Sequence, residues 1–145
     1  MYPLLRPLLF RLDPERAHSL TLGFLRSAAK LPPLRAVLRA SFMGPEKPVE
    51  AFGLYFSNPV GLAAGYDKDG LGWPGLALLG FGHIELGTVT PQPQPGNPKP
   101  RIFRLTEEGA LINRMGFPSK GADLVARQLS HPRPAGPVLG VNLGK

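Results

Sequence analysis

Asn58-Pro-Val-Gly-Leu-Ala-Ala-Gly-Tyr-Asp-Lys-Asp-Gly70 runs from a proline, through a short apolar stretch, into a glycine followed by an aromatic residue and three charges. An apolar run of five residues, 60–64, bounded by Pro59 and Gly65, reads as a buried strand. At Ala64 and Gly65 the side chains shrink to a methyl and a hydrogen, so a flat ligand can approach the backbone. Asp67 and Lys68 follow at the strand's carboxyl end, where parallel α/β folds build their sites. A glycine turn leading into a solvated Asp-Lys-Asp helix cap accounts for the same residues, and this segment alone leaves both readings open.

Downstream the grammar repeats. Residues 71–79 read as a helix, 84–90 as a strand, 91–100 as a proline-rich excursion and 101–105 as a strand. A glycine-rich loop, a helix over 120–129 and a strand over 138–143 follow. Pro74 would interrupt a helix starting at Asp69, so the first of these helices is expected to start nearer Leu71. Strand, helix, strand, excursion, helix, strand is the opening of a βαβαβ arrangement, which implies a parallel sheet with right-handed crossovers. The chain ends at Lys145, immediately after its third parallel strand, with an apolar edge and no covering helix, so a truncated sheet is expected.

Upstream, Asp13-Pro-Glu15 is a strong helix start. Asp13 can accept from the first free N–H groups, Pro14 suits the first helical position and Glu15 favours the positive helix end. The helix should run to about Ala29, with Ala17, Leu20, Phe24 and Ala28 along one face, until Leu31-Pro-Pro33 stops it. Short helical pieces over 3–11 and 34–42 flank it, giving a helical unit over residues 1–42. Residues 43–48 read as a linker, and two short strands over 50–58 as a hairpin.

The chain has 145 residues, 43% of them hydrophobic, and 18 Gly and 18 Pro placed between dense apolar runs, which reads as loops between buried strands. It has no cysteine, which excludes disulfides, thiolate metal sites and a cysteine nucleophile from this stretch. No apolar run approaches the ~20 residues needed to span a bilayer. Arg6 and Arg11 break up the first apolar runs, so no secretory signal is expected. Of the formal charge of +7, most sits in residues 1–40, where Arg6, Arg11, Arg16, Arg26, Lys30, Arg35 and Arg39 face only Asp13 and Glu15. These cations alternate with Leu and Phe rather than with polar or stacking residues. That composition suits an amphipathic surface on an anionic membrane, while a helical pair with solvated arginines suits it about equally. No stacking motif or basic recognition helix points to nucleic acid.

Several further residues carry chemistry. Glu85, Thr88 and Thr90 lie in an otherwise apolar strand, where a buried carboxylate needs a partner. Arg104 could pair with Glu85 or reach an anion. The Asn113-Arg-Met-Gly-Phe117 segment offers donors, acceptors, an approachable backbone and a flat apolar wall, suited to a small planar molecule with amide and carboxylate edges. Asn142, in an apolar strand, needs a hydrogen-bond partner, which a heteroaromatic cofactor would supply. Spacing excludes two phosphate loops: Gly80-Phe-Gly82 lacks the third glycine, and Gly140 to Gly144-Lys145 has three intervening residues where a P-loop has four.

Taken together, Leu12-Asp-Pro-Glu-Arg-Ala-His18, residues 58–70, 81–91, 94–105 and 111–117, and Leu139-Gly-Val-Asn-Leu-Gly-Lys145 resemble the quinone-dependent class of dihydroorotate dehydrogenase, in collinear order along nearly the whole chain. The resemblance implies the N-terminal part of a TIM (β/α)8 barrel preceded by a small helical, membrane-associating unit. Residues 1–42 would be the helical unit and 43–145 the first three β/α units. It implies FMN as cofactor, dihydroorotate and orotate as substrate and product, a membrane quinone as electron acceptor, and a peripheral position on the cytoplasmic face of a bacterial-type cell membrane. By position, Ala64, Gly65, Tyr66, Asp67, Lys68, Thr88 and Asn142 would line the FMN site. Lys68, Asn113, Arg114, Met115, Gly116 and Phe117 would hold the substrate, and His18 and Arg104 the mouth of a quinone tunnel. The family's serine base and its FMN-phosphate loops would lie beyond Lys145, leaving the 145 residues inactive by themselves, and no metal is implied. Tyr66 stands where relatives carry Leu or Phe, and Pro118 where a polar residue is common. The alternatives are a soluble dihydroorotate or dihydropyrimidine dehydrogenase relative with another electron acceptor, and a basic membrane-binding module.

Overall fold

The computed structural model describes residues 2–45, 47–130 and 136–145; Glu46, in the expected linker, lies outside them. Three helices open the chain: α1 (Tyr2–Phe10), α2 (Pro14–Ala28) and α3 (Pro32–Phe42). The start of α2 is the one the sequence dictates. Asp13 Oδ1 accepts from the N–H groups of Glu15 and Arg16, both at 3.0 Å, with Pro14 in the first turn. Two free N–H groups are thereby satisfied by one carboxylate. An antiparallel hairpin follows, β1 (Val49–Ala51) and β2 (Leu54–Phe56).

The parallel sheet comes next. β3 (Gly61–Leu62), β4 (His83–Val89) and β7 (Val138–Leu143) lie side by side in that order, all parallel. The register pairs Gly61 with His83 on one side of β4, and His83 with Val138 on the other. β4 is the buried centre, with Ile84 and Leu86 fully enclosed, as a near-continuous apolar run requires. Between β3 and β4 lies α4 (Trp73–Leu76), extended by a 3₁₀ turn over Ala77–Leu79. It is shorter than the 71–79 helix expected, because Pro74 fits only the first turn. Helix α5 (Ala122–Leu129) leads into β7.

The excursion after β4 yields a second antiparallel hairpin, β5 (Ile102–Leu105) and β6 (Ala110–Asn113). β6 is an element the sequence reading placed in a glycine-rich loop. It pairs Phe103 with Ile112 and Arg104 with Leu111.

The core joins the helical unit to the sheet. Leu25 of α2 packs with Trp73, Leu76, Ile84 and Leu86. A β-carbon at Gly75 would lie 2.1 Å from the carbonyl oxygen of Leu25, so α2 and α4 touch backbone to backbone only because position 75 has no side chain. This contact also corrects the expected face of α2. Ala17 and Ala28 are buried, but Leu20 and Phe24 are 62% and 54% exposed, and Leu25 takes the inward place. Their apolar surface points to solvent, together with Leu4, Leu5 and Leu8 of α1.

Candidate functional site

A cavity of about 1050 Å³ opens between the helical unit and the carboxyl ends of β3 and β4. Helix α2 supplies Glu15, His18, Leu22 and Arg26; the segment after β3 supplies residues 64–69; β4 supplies Thr88. The hairpin and the segment after it supply Arg101, Arg104 and Asn113, then Met115, Gly116 and Phe117.

The loop after β3 is held by main-chain bonds and opens toward the cavity. Gly65 N–H donates to the Gly87 carbonyl at 2.7 Å, and Gly87 N–H donates to the Asp67 carbonyl at 3.2 Å. Gly65 has φ +109°, a conformation an L side chain avoids, and a β-carbon there would meet no atom within 4 Å. The backbone edge is therefore bare where a planar group would lie. Lys68 Nζ turns back onto the Gly65 carbonyl at 2.7 Å. Burial first, then the nearby Arg101, lowers the Lys68 pKa from the ordinary lysine value.

Asp67 lines the cavity and also shapes the turn that follows it. Its carboxylate is buried and accepts from the N–H groups of Leu71 at 2.9 Å and Gly72 at 2.8 Å, so it shapes the turn into α4. Burial raises its pKa, against the pull of those N–H groups.

Across the sheet a polar network satisfies the residues that seemed to need partners. Glu85 accepts from Ala64 N–H at 3.2 Å and from Asn142 Nδ2 at 3.4 Å, while Thr88 Oγ1 donates to Asn142 Oδ1 at 2.7 Å. Glu85 is thus matched by an amide and a backbone N–H, not by Arg104. Asn142 has partners inside the chain, and two residues of this network, Ala64 and Thr88, line the cavity.

Tyr66 links the loop to α2. Its hydroxyl lies 3.0 Å from Thr21 Oγ1, and its ring meets the His18 ring edge-on, with centroids 4.7 Å apart. His18 is half-buried, and burial, followed by the charge on Lys68, lowers its pKa. Arg104 donates to the Leu12 carbonyl at 2.7 Å and lies 4.6 Å over the Phe10 ring, fastening the hairpin to the α1–α2 junction. Asn113, Met115, Gly116 and Phe117 line the cavity. Arg114 does not: its guanidinium donates to the Pro100 carbonyl at 3.0 Å and lies over Phe103.

The sequence reading missed Glu15 as a site residue. Its carboxylate, 86 positions from Arg101, accepts from Arg101 Nε at 2.5 Å and pairs with Lys99 at 2.6 Å. The hydrogen bond from Arg101 is the largest cause holding its pKa below the ordinary glutamate value. No spacing rule joins residues so far apart.

These features define an α/β protein whose site lies at the carboxyl ends of parallel strands, beneath a helical cover. The chain belongs to the dihydroorotate dehydrogenase family: the model described as "Dihydroorotate dehydrogenase" matches residues 48–145. Proteins named dihydroorotate dehydrogenase (quinone) are similar along the full chain. The one from Roseiflexus sp. (strain RS-1) is 56% identical over 147 residues, and the one from Methylococcus capsulatus (strain ATCC 33009 / NCIMB 11132 / Bath) is 57% identical over 143. The match covers 100% and 98% of this chain and 41% of each relative, so the chain spans about two fifths of their length. A crystal structure of a DHODH from Eimeria tenella in complex with ferulenol superimposes with a TM-score of 0.73 at 43% identity, covering 92% of this chain and 36% of that one.

Proposed function

We propose that this chain is the N-terminal portion of an FMN-dependent dihydroorotate dehydrogenase that passes electrons to a membrane quinone, with β3, β4 and β7 as the first three strands of a TIM barrel. Residues 1–42 form the membrane- and quinone-facing unit, and residues 43–145 the flavin-facing part. The observation that carries this reading is the convergence of the 64–68 loop, Thr88 and the 113–117 segment on one cavity covered by α2. The bare edge at Gly65 fits a planar ring, and the half-buried Lys68 ammonium fits its electron-rich side and a substrate carboxylate.

When bound, FMN supplies the two-electron acceptor. Lys68 stabilises the negative charge that develops as electrons arrive, which a partly desolvated ammonium does better than one in water. Thr88, oriented by Asn142, offers a hydroxyl at the strand mouth, and Asn113 an amide to the substrate. Asp67 acts on the cofactor through the loop it shapes. No residue of the cavity is assigned as the proton-abstracting base, which we assign to the part of the whole protein outside these 145 residues.

Among the described residues no helix is long and apolar enough to cross a membrane. The exposed Leu4, Leu5, Leu8, Leu20 and Phe24, with the basic excess of residues 1–40, fit shallow burial in an anionic surface on the cytoplasmic face. His18 and Arg104, on the helical side of the cavity, would flank the quinone. The test is spectroscopic. Purified whole protein should carry flavin that bleaches on anaerobic addition of dihydroorotate and recovers with a quinone. Flavin-free protein, or flavin that dihydroorotate leaves oxidised, refutes it.

A further inference from the structure

Arg101 stands where three segments meet. Its carbonyl accepts from the Arg114 N–H at 2.9 Å. From its guanidinium, Nη1 donates to the carbonyls of Pro95 at 2.7 Å and Asn97 at 3.0 Å, and Nε donates to Glu15 on α2. The Arg101 side chain is only 10% exposed. The turn it closes then grips the segment on the cavity's far side. Asn97 N–H donates to the Met115 carbonyl at 2.9 Å, and Asn97 Nδ2 to the Arg114 carbonyl at 2.8 Å. Gln94 Nε2 donates to the Phe117 carbonyl at 2.9 Å, and its main chain exchanges two bonds with Ser119. The surfaces interlock: a β-carbon at Gly116 would lie 2.7–2.8 Å from Asn97.

We propose that Arg101 is a positioning residue: its guanidinium folds the 94–97 turn that holds residues 113–117 against the cavity, and ties that segment to α2 through Glu15. The proposal rests on the reading of 113–117 as the substrate-side segment. The chemistry needs a planar fork. One ammonium cannot reach the Glu15 carboxylate and two carbonyls at the fixed angles a guanidinium offers.

The test combines hydrogen exchange with steady-state kinetics on the flavin-loaded whole protein. Arg101→Lys keeps the charge facing Glu15 but loses the fork. It should speed amide exchange over 94–97 and 113–119 by about ten-fold, while β4 and β7 keep their protection. It should also raise KM for dihydroorotate by about ten-fold with little change in kcat, because a loosened segment binds substrate less well. Asn97→Ala cuts the grip on 113–117 without touching Glu15 and should reproduce both effects; Asn97→Gln, which keeps the amide, should restore part of them. Unchanged exchange over 113–119 in both Arg101→Lys and Asn97→Ala overturns the positioning role, whatever the substrate. Faster exchange with an unchanged KM keeps that role and overturns the assignment of 113–117 to dihydroorotate.

Discussion

Replacing Lys68 by alanine in the whole protein should separate the two halves of the catalytic cycle. Its ammonium is half-buried at the mouth of β3, 2.7 Å from the Gly65 carbonyl, beside the bare backbone edge where the flavin ring is proposed to lie. At an effective dielectric of about 20, two unit charges about 4 Å apart interact by about 4 kcal/mol. Partial exposure screens this, so about 3 kcal/mol of stabilisation for the developing charge is reasonable, which corresponds to about a hundred-fold in rate. Stopped-flow mixing of oxidised enzyme with dihydroorotate should show that loss in the reductive half-reaction, with reoxidation by quinone changed much less. The pH dependence adds a second check. Burial and Arg101 lower the Lys68 pKa, so the ammonium is lost as pH rises through that lowered value. The wild-type reductive rate should therefore fall at a pH below the ordinary lysine range, and Lys68→Arg should move the fall to higher pH. Equal losses in both half-reactions with flavin content unchanged would refute the assigned role.

Other perturbations test other links. Ile84→Ala, at a fully buried position of the central strand, should cost about 2–5 kcal/mol in chemical denaturation; a cost within error would mean the sheet does not carry the core. Tyr66→Phe removes the contact to Thr21, whose hydroxyl keeps the Ala17 and His18 carbonyls as acceptors. The expected loss is about 0.5–1 kcal/mol, read as a lowered Tm, and no loss would show that the hydroxyl does not hold α2. His18 has a lowered pKa, so the unfolded chain takes up its proton at a higher pH than the folded one. Stability should therefore fall as pH drops from 7 through the unfolded histidine value, and His18→Gln should flatten that part of the profile. Leu4→Ser with Leu8→Ser, at exposed positions of α1, should weaken binding to anionic liposomes and reduction of long-chain quinones while sparing dihydroorotate-dependent bleaching; unchanged partitioning would remove the membrane role from this surface.

Local chemistry made much of the molecule legible in advance. Asp13-Pro14-Glu15 starts α2 because a carboxylate, a fixed φ and a missing N–H all favour the same helix end. The apolar runs at β4 and β7 read as parallel strands; both faces of β4 are covered, while β7, at the edge of the sheet, leaves Val141 and Leu143 exposed, and the order β3-β4-β7 follows from alternating strands and helices. The glycine and lysine after β3 could be assigned to a site because a strand's carboxyl end in a parallel sheet is where loops converge. The motifs around them were distinctive enough to indicate the family.

Other features depended on distance in the chain. The pairing of Arg101 with Glu15 joins residues 86 positions apart, and the partners of Asn142 lie 54 and 57 positions away. Leu20 and Phe24 lie at helical spacing with Ala17 and Ala28, yet face solvent, because backbone contact with Gly75 draws Leu25 inward instead. β6 escaped notice because a four-residue strand with all its residues exposed carries no burial alternation, and only pairing with β5 defines it. Sequence by itself determined the helix start and the glycine edge, set by interactions among near neighbours or by covalent constraints on φ, and the strand order, set by the handed crossovers of alternating strands and helices. Tertiary structure alone decided which face of α2 turns inward, that Asp67 shapes the loop into α4, and that Arg101 locks the far side of the cavity, since each depends on which distant groups the folded chain brings within a few ångströms.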